Sequence, residues 1–297
     1  MKKSSLLIAA LAFGATAAFA QDLTSKKGEN FLPEAGDWSI GIDATPVLNY
    51  VGNFIGGNGL NTAPTWNFLN GNQTIIGKMY ASETMAYRGI LRIGISSTSD
   101  RRFVQDDAVT TAPVFPATTA QVEDKYKRSS NFIGLGAGLE WRRGKTRLQG
   151  FYGADAMFWM SGAKDSYTYG NSYTATNTNP TTTDFGTGNT TPAYANYPGR
   201  VIDEKTGTVI GFGVRGFIGA EYFIVPKISI GAEFGWGFGF TQTGEGRAVV
   251  ESQNSTTPGA GQNIDYTTTG KQSSLMLDTD RNAFGTGNGS LRLNFHF

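Results

Sequence analysis

Along much of this chain, apolar and polar residues alternate at every second position. GDWSIGIDAT sets Trp38, Ile40, Ile42 and Ala44 against Ser39, Gly41, Asp43 and Thr45. AYRGILRIGI sets Tyr87, Leu91, Ile93 and Ile95 against Arg88, Arg92 and Gly94. In NFIGLGAGLEWRR, Ile133, Leu135, Ala137, Leu139 and Trp141 oppose glycines, Glu140 and Arg142. RLQGFYGADAMF opposes Leu148, Tyr152, Ala154, Ala156 and Phe158 to Arg147, Gln149, Gly153 and Asp155. TVIGFGVRGFIGAEY and KISIGAEFGWGFGF repeat the arrangement, with Arg215, Glu221 and Glu233 on the glycine face, and SLRLNFHF closes the chain with it. A period of two is the signature of β-strands. Runs of ten or so residues exceed the usual five or six of soluble sheets. They match the roughly 9–11 residues of a strand that crosses a bilayer.

The two faces have the wrong polarity for a water-soluble sheet, which hides its apolar face. Here the large, often aromatic residues share one face, and the charges share the other with glycine. A small barrel with its apolar side toward lipid and its charges inside fits this pattern. About eight strands enclose a space just wide enough for side chains to fill. Isolated charges there would be costly, so opposite charges should pair. We therefore expect Arg88, Arg92, Arg142, Arg147, Arg215 and Arg292 to form a plugging ion-pair network with Asp43, Glu140, Asp155, Glu221 and Glu233. The alternative is a charged conduction path.

Strand number follows from topology. Arg143-Gly144-Lys145 and Ile224-Val225-Pro226 mark tight turns. Including NQTIIGKMY (72–80) and a third turn around Ala81-Ser82-Glu83 gives eight strands, at 37–50, 72–80, 84–97, 129–143, 146–162, 206–222, 227–243 and 285–297. The expected fold is an all-β, eight-stranded antiparallel transmembrane β-barrel. It has three short periplasmic turns and four long extracellular loops at 51–71, 98–128, 163–205 and 244–284, with both ends in the periplasm. Without 72–80 both ends would fall outside, against the rule for this class. Leu275 to Leu277 is assigned to an extended arm of the last loop.

Composition adds location. MKKSSLLIAALAFGATAAFA has a lysine start, an apolar stretch and an A-x-A-like end, so residues 1–20 read as a cleaved signal peptide. The apolar stretch is too short for a membrane anchor. Residues 21–35 then form a periplasmic tail and 36–297 the barrel domain. Beyond residue 20 the chain carries 23 basic and 24 acidic residues, which gives no reason to expect a nucleic-acid partner. There is no cysteine, so export serves no disulfide. Forty glycines, with abundant Thr, Asn, Tyr and Phe, agree with an all-β chain carrying long polar loops.

These features resemble the small eight-stranded outer-membrane barrels of the OmpA transmembrane-domain and OmpX kind. GDWSIGIDATPVLNY, KMYASETMAYRGILRIG, LEWRRGKTRLQGFYGADA and EYFIVPKISIGAEFGWGFGF resemble outer-membrane β-barrel proteins of Bacteroidota. The resemblance implies a Gram-negative outer-membrane location, lipid and lipopolysaccharide as surroundings, and other outer-membrane proteins as possible neighbours. It carries over no catalytic residue. The terminal alternation of Leu291, Leu293, Phe295 and Phe297 resembles the C-terminal signal read by the barrel-assembly machinery.

Other motifs carry little chemistry. GFGVRG (211–216) formally matches G-x-G-x-x-G, but it lies inside a strand pattern with no helix after it. The single histidine, His296, reads as a lumen-facing structural residue, and a Cys/His metal site has no ligand set. No cofactor is implied. Trp38, Trp141, Trp159, Trp236, Tyr80, Tyr152 and Tyr222 fit interfacial girdles. Asp106-Asp107 and Asp203-Glu204 read as solvated charge or as a cation catch. The Thr-, Asn-, Gly- and Tyr-rich loop 163–205 looks flexible, and reads either as a recognition surface for protein or glycan or as plain solvated surface. The expected function is non-enzymatic, in envelope structure or loop-mediated binding. The alternatives are an accessory subunit of a larger outer-membrane complex and a narrow pore.

Overall fold

The computed structural model describes residues 23–57, 74–111, 113–115, 117–253, 259–278 and 290–297. The signal-peptide assignment, the tip of the first loop and residues 279–289 lie outside them. The described chain is antiparallel β-structure with one helix. Its elements are β1 (Trp38–Asp43), α1 (Thr45–Ile55), β2 (Ile75–Ser82), β3 (Met85–Gln105), β4 (Gln121–Arg143), β5 (Leu148–Thr168), β6 (Arg200–Lys205), β7 (Val209–Val225), β8 (Ile228–Thr243), β9 (Gly246–Ser252), β10 (Gln262–Thr269), β11 (Gln272–Asp278) and β12 (Ser290–His296).

Eight strands close a ring. Each of β1, β2, β3, β4 and β5 pairs with the next, β5 pairs with β7, β7 with β8, β8 with β12, and β12 returns to β1. The closing contact runs from Ser39 opposite His296 to Asp43 opposite Arg292. The start of β1 and the end of β12 therefore lie beside the three short connections, after Ser82, Arg143 and Val225.

The remaining strands continue this wall upward. β6 follows β7's course on β5, β9 pairs with β6, and β10 pairs with β9. β11 takes the upper part of the β8 edge whose lower part β12 holds. Three neighbouring strands bend at one level, around Gly207, Gly244 and Gly270, because 209 pairs with 243 and 243 with 272. A Cβ on Gly207 would collide with the carbonyl of Gly244, so the closest of these bends requires glycine. Above the ring, the upper parts of β3, β4 and β5 join β6, β9 and β10 in a standing plate.

Three expectations are corrected. The first strand, expected over 37–50, ends at Asp43 and gives way to α1. Pro46 is the reason: it has no N–H for a ladder, whereas the first turn of a helix needs none. The expected loops 98–128, 163–205 and 244–284 contain strand over 98–105, 121–128, 163–168, 200–205, 246–252, 262–269 and 272–278. β3 and β4 pair as far as Gln105 opposite Gln121, and the true connections there are 106–120, 169–199 and 253–261. Leu275 to Leu277 is a strand, β11, paired with β8.

Tyr80 and Trp159 also depart from the girdle assignment. Both point into the ring and are buried. Trp38, Trp141, Trp236 and Tyr152 do stand outside. So do Leu91, Ile93, Leu135, Phe212, Ile218, Phe234 and Leu291, all exposed in the isolated chain.

Candidate functional site: a sealed interior beneath an ordered plate

Because alternate residues of every ring strand point inward, charges distant in sequence meet in one column. At the turn end, Glu221 of β7 accepts from Asn294 Nδ2 at 2.6 Å and from the Ser229 hydroxyl, and lies 3.5 Å from His296 Nε2. Arg142 Nη2 reaches it at 2.6 Å, and Arg142 Nη1 reaches Glu140 at 2.8 Å. Glu140 also takes Lys78 Nζ at 2.9 Å and Arg88 Nη1 at 3.0 Å. Arg88 continues to Glu233 at 2.9 Å and Asp155 at 3.3 Å, and Arg215 binds the same two carboxylates at 2.7 and 3.4 Å. All these side chains are buried. Four anions thus interleave with four strong cations, which is what a low-dielectric interior demands.

The sequence marked most of this column. The structure places Arg292 inside as well, buried and donating to the carbonyl of Thr74 at 3.2 Å, with Asp43 as its register partner. Two expected members sit elsewhere. Arg147 stacks on Phe31 at 3.5 Å, and Arg92 stacks on Phe132 at 4.5 Å. Lys78 was missed, because the inward face of its strand also carries Ile76 and Tyr80 and so shows no polar pattern.

Aromatics fill the space the ions leave. Arg88 lies 3.9 Å from the ring centroid of Phe217, and Lys78 lies 4.9 Å from that of Phe151. Above the ions, Met157 and Trp159 form an apolar layer with Phe132. The Trp159 ring occupies the space a side chain at Gly211 would need. Within GFGVRG, then, Gly211 makes room for an indole. At the other end, residues 23–37 fold across the mouth. Thr24 bridges Asn30, Gly36 N–H donates to the Tyr80 carbonyl at 2.8 Å, and Phe31 is buried beneath Arg147.

Ser229, His296 and Glu221 have the residue types of a hydrolytic triad, but not its geometry. In a triad the carboxylate holds the ring nitrogen opposite the one facing serine. Here Ser229 and Glu221 both face Nε2, at 2.9 and 3.5 Å, and Nδ1 faces the Tyr80 hydroxyl at 3.5 Å. Ser229 is wholly buried. The set ties β2, β7, β8 and β12 together.

The second region is the plate. One face of it has its own apolar centre of Tyr167, Val201 and Val250, covered by Tyr126, Tyr169, Phe185, Tyr194, Ala195 and Tyr266. The connection 169–199, expected to be flexible, is folded into this face. Buried polar side chains hold it. Asp124 accepts from Gly170 N–H at 2.9 Å and Thr183 N–H at 2.7 Å. Asn171 Nδ2 donates to the carbonyls of Gln105 and Thr181 at 2.8 and 3.1 Å. Asn189 Nδ2 donates to the Thr183 carbonyl at 2.9 Å. Arg200 binds Glu251 at 2.9 Å, Thr182 Oγ1 at 3.0 Å and the Asn171 carbonyl at 2.6 Å, with Tyr169 stacked on it at 4.3 Å.

The paired acids serve the same end. Asp107 accepts from Thr181 N–H at 2.7 Å and Asn177 Nδ2 at 2.8 Å, and Asp203 pairs with Lys164 at 2.7 Å. Partial burial would raise the Asp107 carboxyl. The bonds from Thr181 and Asn177 and the charge of Arg200 outweigh it and hold the group below its ordinary 3.8. Burial pushes the Tyr167 phenol up to about 12 and raises that of Tyr169. Comparison with known protein families and with curated proteins finds no match for this chain.

Proposed function

We propose that this chain is a non-enzymatic integral outer-membrane protein, an eight-stranded β-barrel of the OmpA and OmpX type. The ring would span the bilayer and the plate would stand outside the cell. The observation that carries the reading is the reversal of polarity: a belt of exposed apolar side chains outside the ring, and buried, paired ions within it. In water that belt would be a large aggregation liability. In lipid it is what a barrel needs, and a closed ring leaves no strand edge in hydrocarbon. Residues 23–37, the three tight turns and both chain ends would face the periplasm. The role would be structural in the envelope, or binding through the plate. Lipid and lipopolysaccharide would surround the ring, and the barrel-assembly machinery would insert it.

One position separates this from a soluble protein. Val214 is exposed, so Val214→Arg should be nearly neutral in a water-soluble fold. Facing lipid, it should cost roughly 2–4 kcal/mol in urea titrations of protein refolded into vesicles. The wild type should require detergent or lipid. A monodisperse protein in plain buffer, or a neutral Val214→Arg, overturns the proposal.

A second reading is favoured by α1. This uncharged helix leaves the wall after Asp43, with Phe54 and Ile55 about three-quarters exposed. It would suit an accessory subunit docked against another outer-membrane protein. Co-migration with a partner after mild-detergent extraction would support that reading. A narrow pore is the least favoured, because side chains fill the interior.

A further inference from the structure

The plate encloses a cleft of about 970 Å³ within the connection 169–199. It lies between two passages of that connection, 178–182 and 190–199, and is bordered by the buried Arg200 of β6 and Ser252 of β9. Its size is at the upper end of small-molecule sites, which run to roughly 1,000 Å³.

The lining is chemically narrow. It consists of Thr, Ser, Asn, Gln, Pro, Gly and Ala with two tyrosines and one charged residue, Arg200. Among the described residues, no carboxylate lines it. The Arg200 guanidinium is already neutralised by Glu251 and bonded to Thr182 and Asn171, so the cleft offers no spare charge. Asn179, Asn196 and the hydroxyls of Tyr173 and Tyr197 make no hydrogen bond among the described residues. Tyr197 is 59 % exposed. Pro180, Pro192 and Pro198 fix the backbone of the walls, and the buried network around Asp124, Asn171 and Asn189 holds them in place. The cleft is thus preorganised, with little ordering cost left for binding.

We propose that this cleft binds a short neutral oligosaccharide. A polyhydroxylated, uncharged ligand matches free amides and hydroxyls, and the apolar face of a sugar ring can rest on Tyr197 or Tyr173. An acidic glycan would find no unpaired cation. A peptide needs a strand edge or an apolar anchor pocket, and neither lines the cleft. The proposal deepens the reading of the plate as an external binding surface and rests on it.

The test uses folded, detergent-solubilised protein on an array of neutral and acidic glycans and random peptides. Fluorescence-polarisation titration with labelled neutral hexasaccharides, made of glucose, mannose or N-acetylglucosamine, then follows. We expect at least one neutral series to bind, with affinity about tenfold lower in Tyr197→Ala and in Asn196→Ala and unchanged in the distant, exposed Lys271→Ala. Heat-modifiable gel mobility checks that each variant is folded. Failure of every neutral glycan to bind overturns the proposal, as does binding confined to acidic glycans or to peptides. So does neutral binding unmoved by the Tyr197 and Asn196 substitutions. Location is tested separately. The chain has no cysteine, so Thr178→Cys should be the sole site labelled by an impermeant maleimide on intact cells. Absence of label there, beside sugar binding by the purified protein, sinks the cellular placement and leaves the cleft assignment standing.

Discussion

Glu140 is in contact with three cations, Lys78, Arg88 and Arg142, and has no exposure to solvent. Removing one partner of a buried ion pair leaves uncompensated charge in a poor solvent for ions. Glu140→Ala should therefore cost about 3–5 kcal/mol in vesicle-based urea unfolding. Phe297 poses the opposite case. It is 54 % exposed and stacks on Trp38 at 4.3 Å. Phe297→Ala should move the urea midpoint by no more than about 1 kcal/mol. If the terminal alternation is read by assembly machinery, the same change should lower the folded amount in cell envelopes several-fold. Equal losses in both assays would make Phe297 merely structural. At this scale the sequence was informative where charge shares one face of a strand with glycine, as at Glu140 and Arg142. It failed where aromatic residues pack inside beside the ions, as Tyr80, Phe151, Trp159 and Phe217 do. Hydrophobicity alone cannot tell an aromatic side chain on the outside of the ring from one stacked on a guanidinium.

Among the elements, the period-two signal fades where a strand rises above the ring and both its faces meet water or polar packing. That is why TSDRRFVQ and QVEDKYKR read as loop and fold as the paired upper halves of β3 and β4. Their partners are held by side chains such as Tyr126, which donates to Asp165 at 2.9 Å, and by the Arg101–Glu123 pair at 3.4 Å. The connection 169–199 misled for a related reason. Its large apolar residues are four tyrosines and the half-buried Phe185, and its order comes from buried Asn, Asp and Arg. Asp107 supplies a pH test. Its carboxyl is depressed in the fold, so the stability it lends is complete above the ordinary 3.8 and is lost as pH falls below that value. Protease resistance of this connection should hold down to about pH 4 and weaken beneath it. Asp107→Asn should show the weakened state at every pH, and an unaltered profile would remove Asp107 from the account.

For the whole molecule, an eight-strand ring with its ends at the turn side was legible from alternation and turn counting. The added height of the wall, and the bend through Gly207, Gly244 and Gly270, were not. They depend on which strands lie side by side rather than on any one segment. A lumen filled by ions, Trp159 and the Phe31 cap should conduct poorly. Purified protein in planar bilayers should give no stable openings of nanosiemens size, and such openings would contradict the sealed interior.

The pairing of β1 with β12 joins residues 38–43 to 292–296. This seam sews the first strand of the chain to the last, so the cylinder has no partial form that can close early. Until Phe297 has been made, every growing chain is an open curtain with two raw selvedges, and its slowest contact spans nearly the whole polypeptide. Closure must follow synthesis, and the unfinished sheet stays exposed to wrong partners until the seam is made.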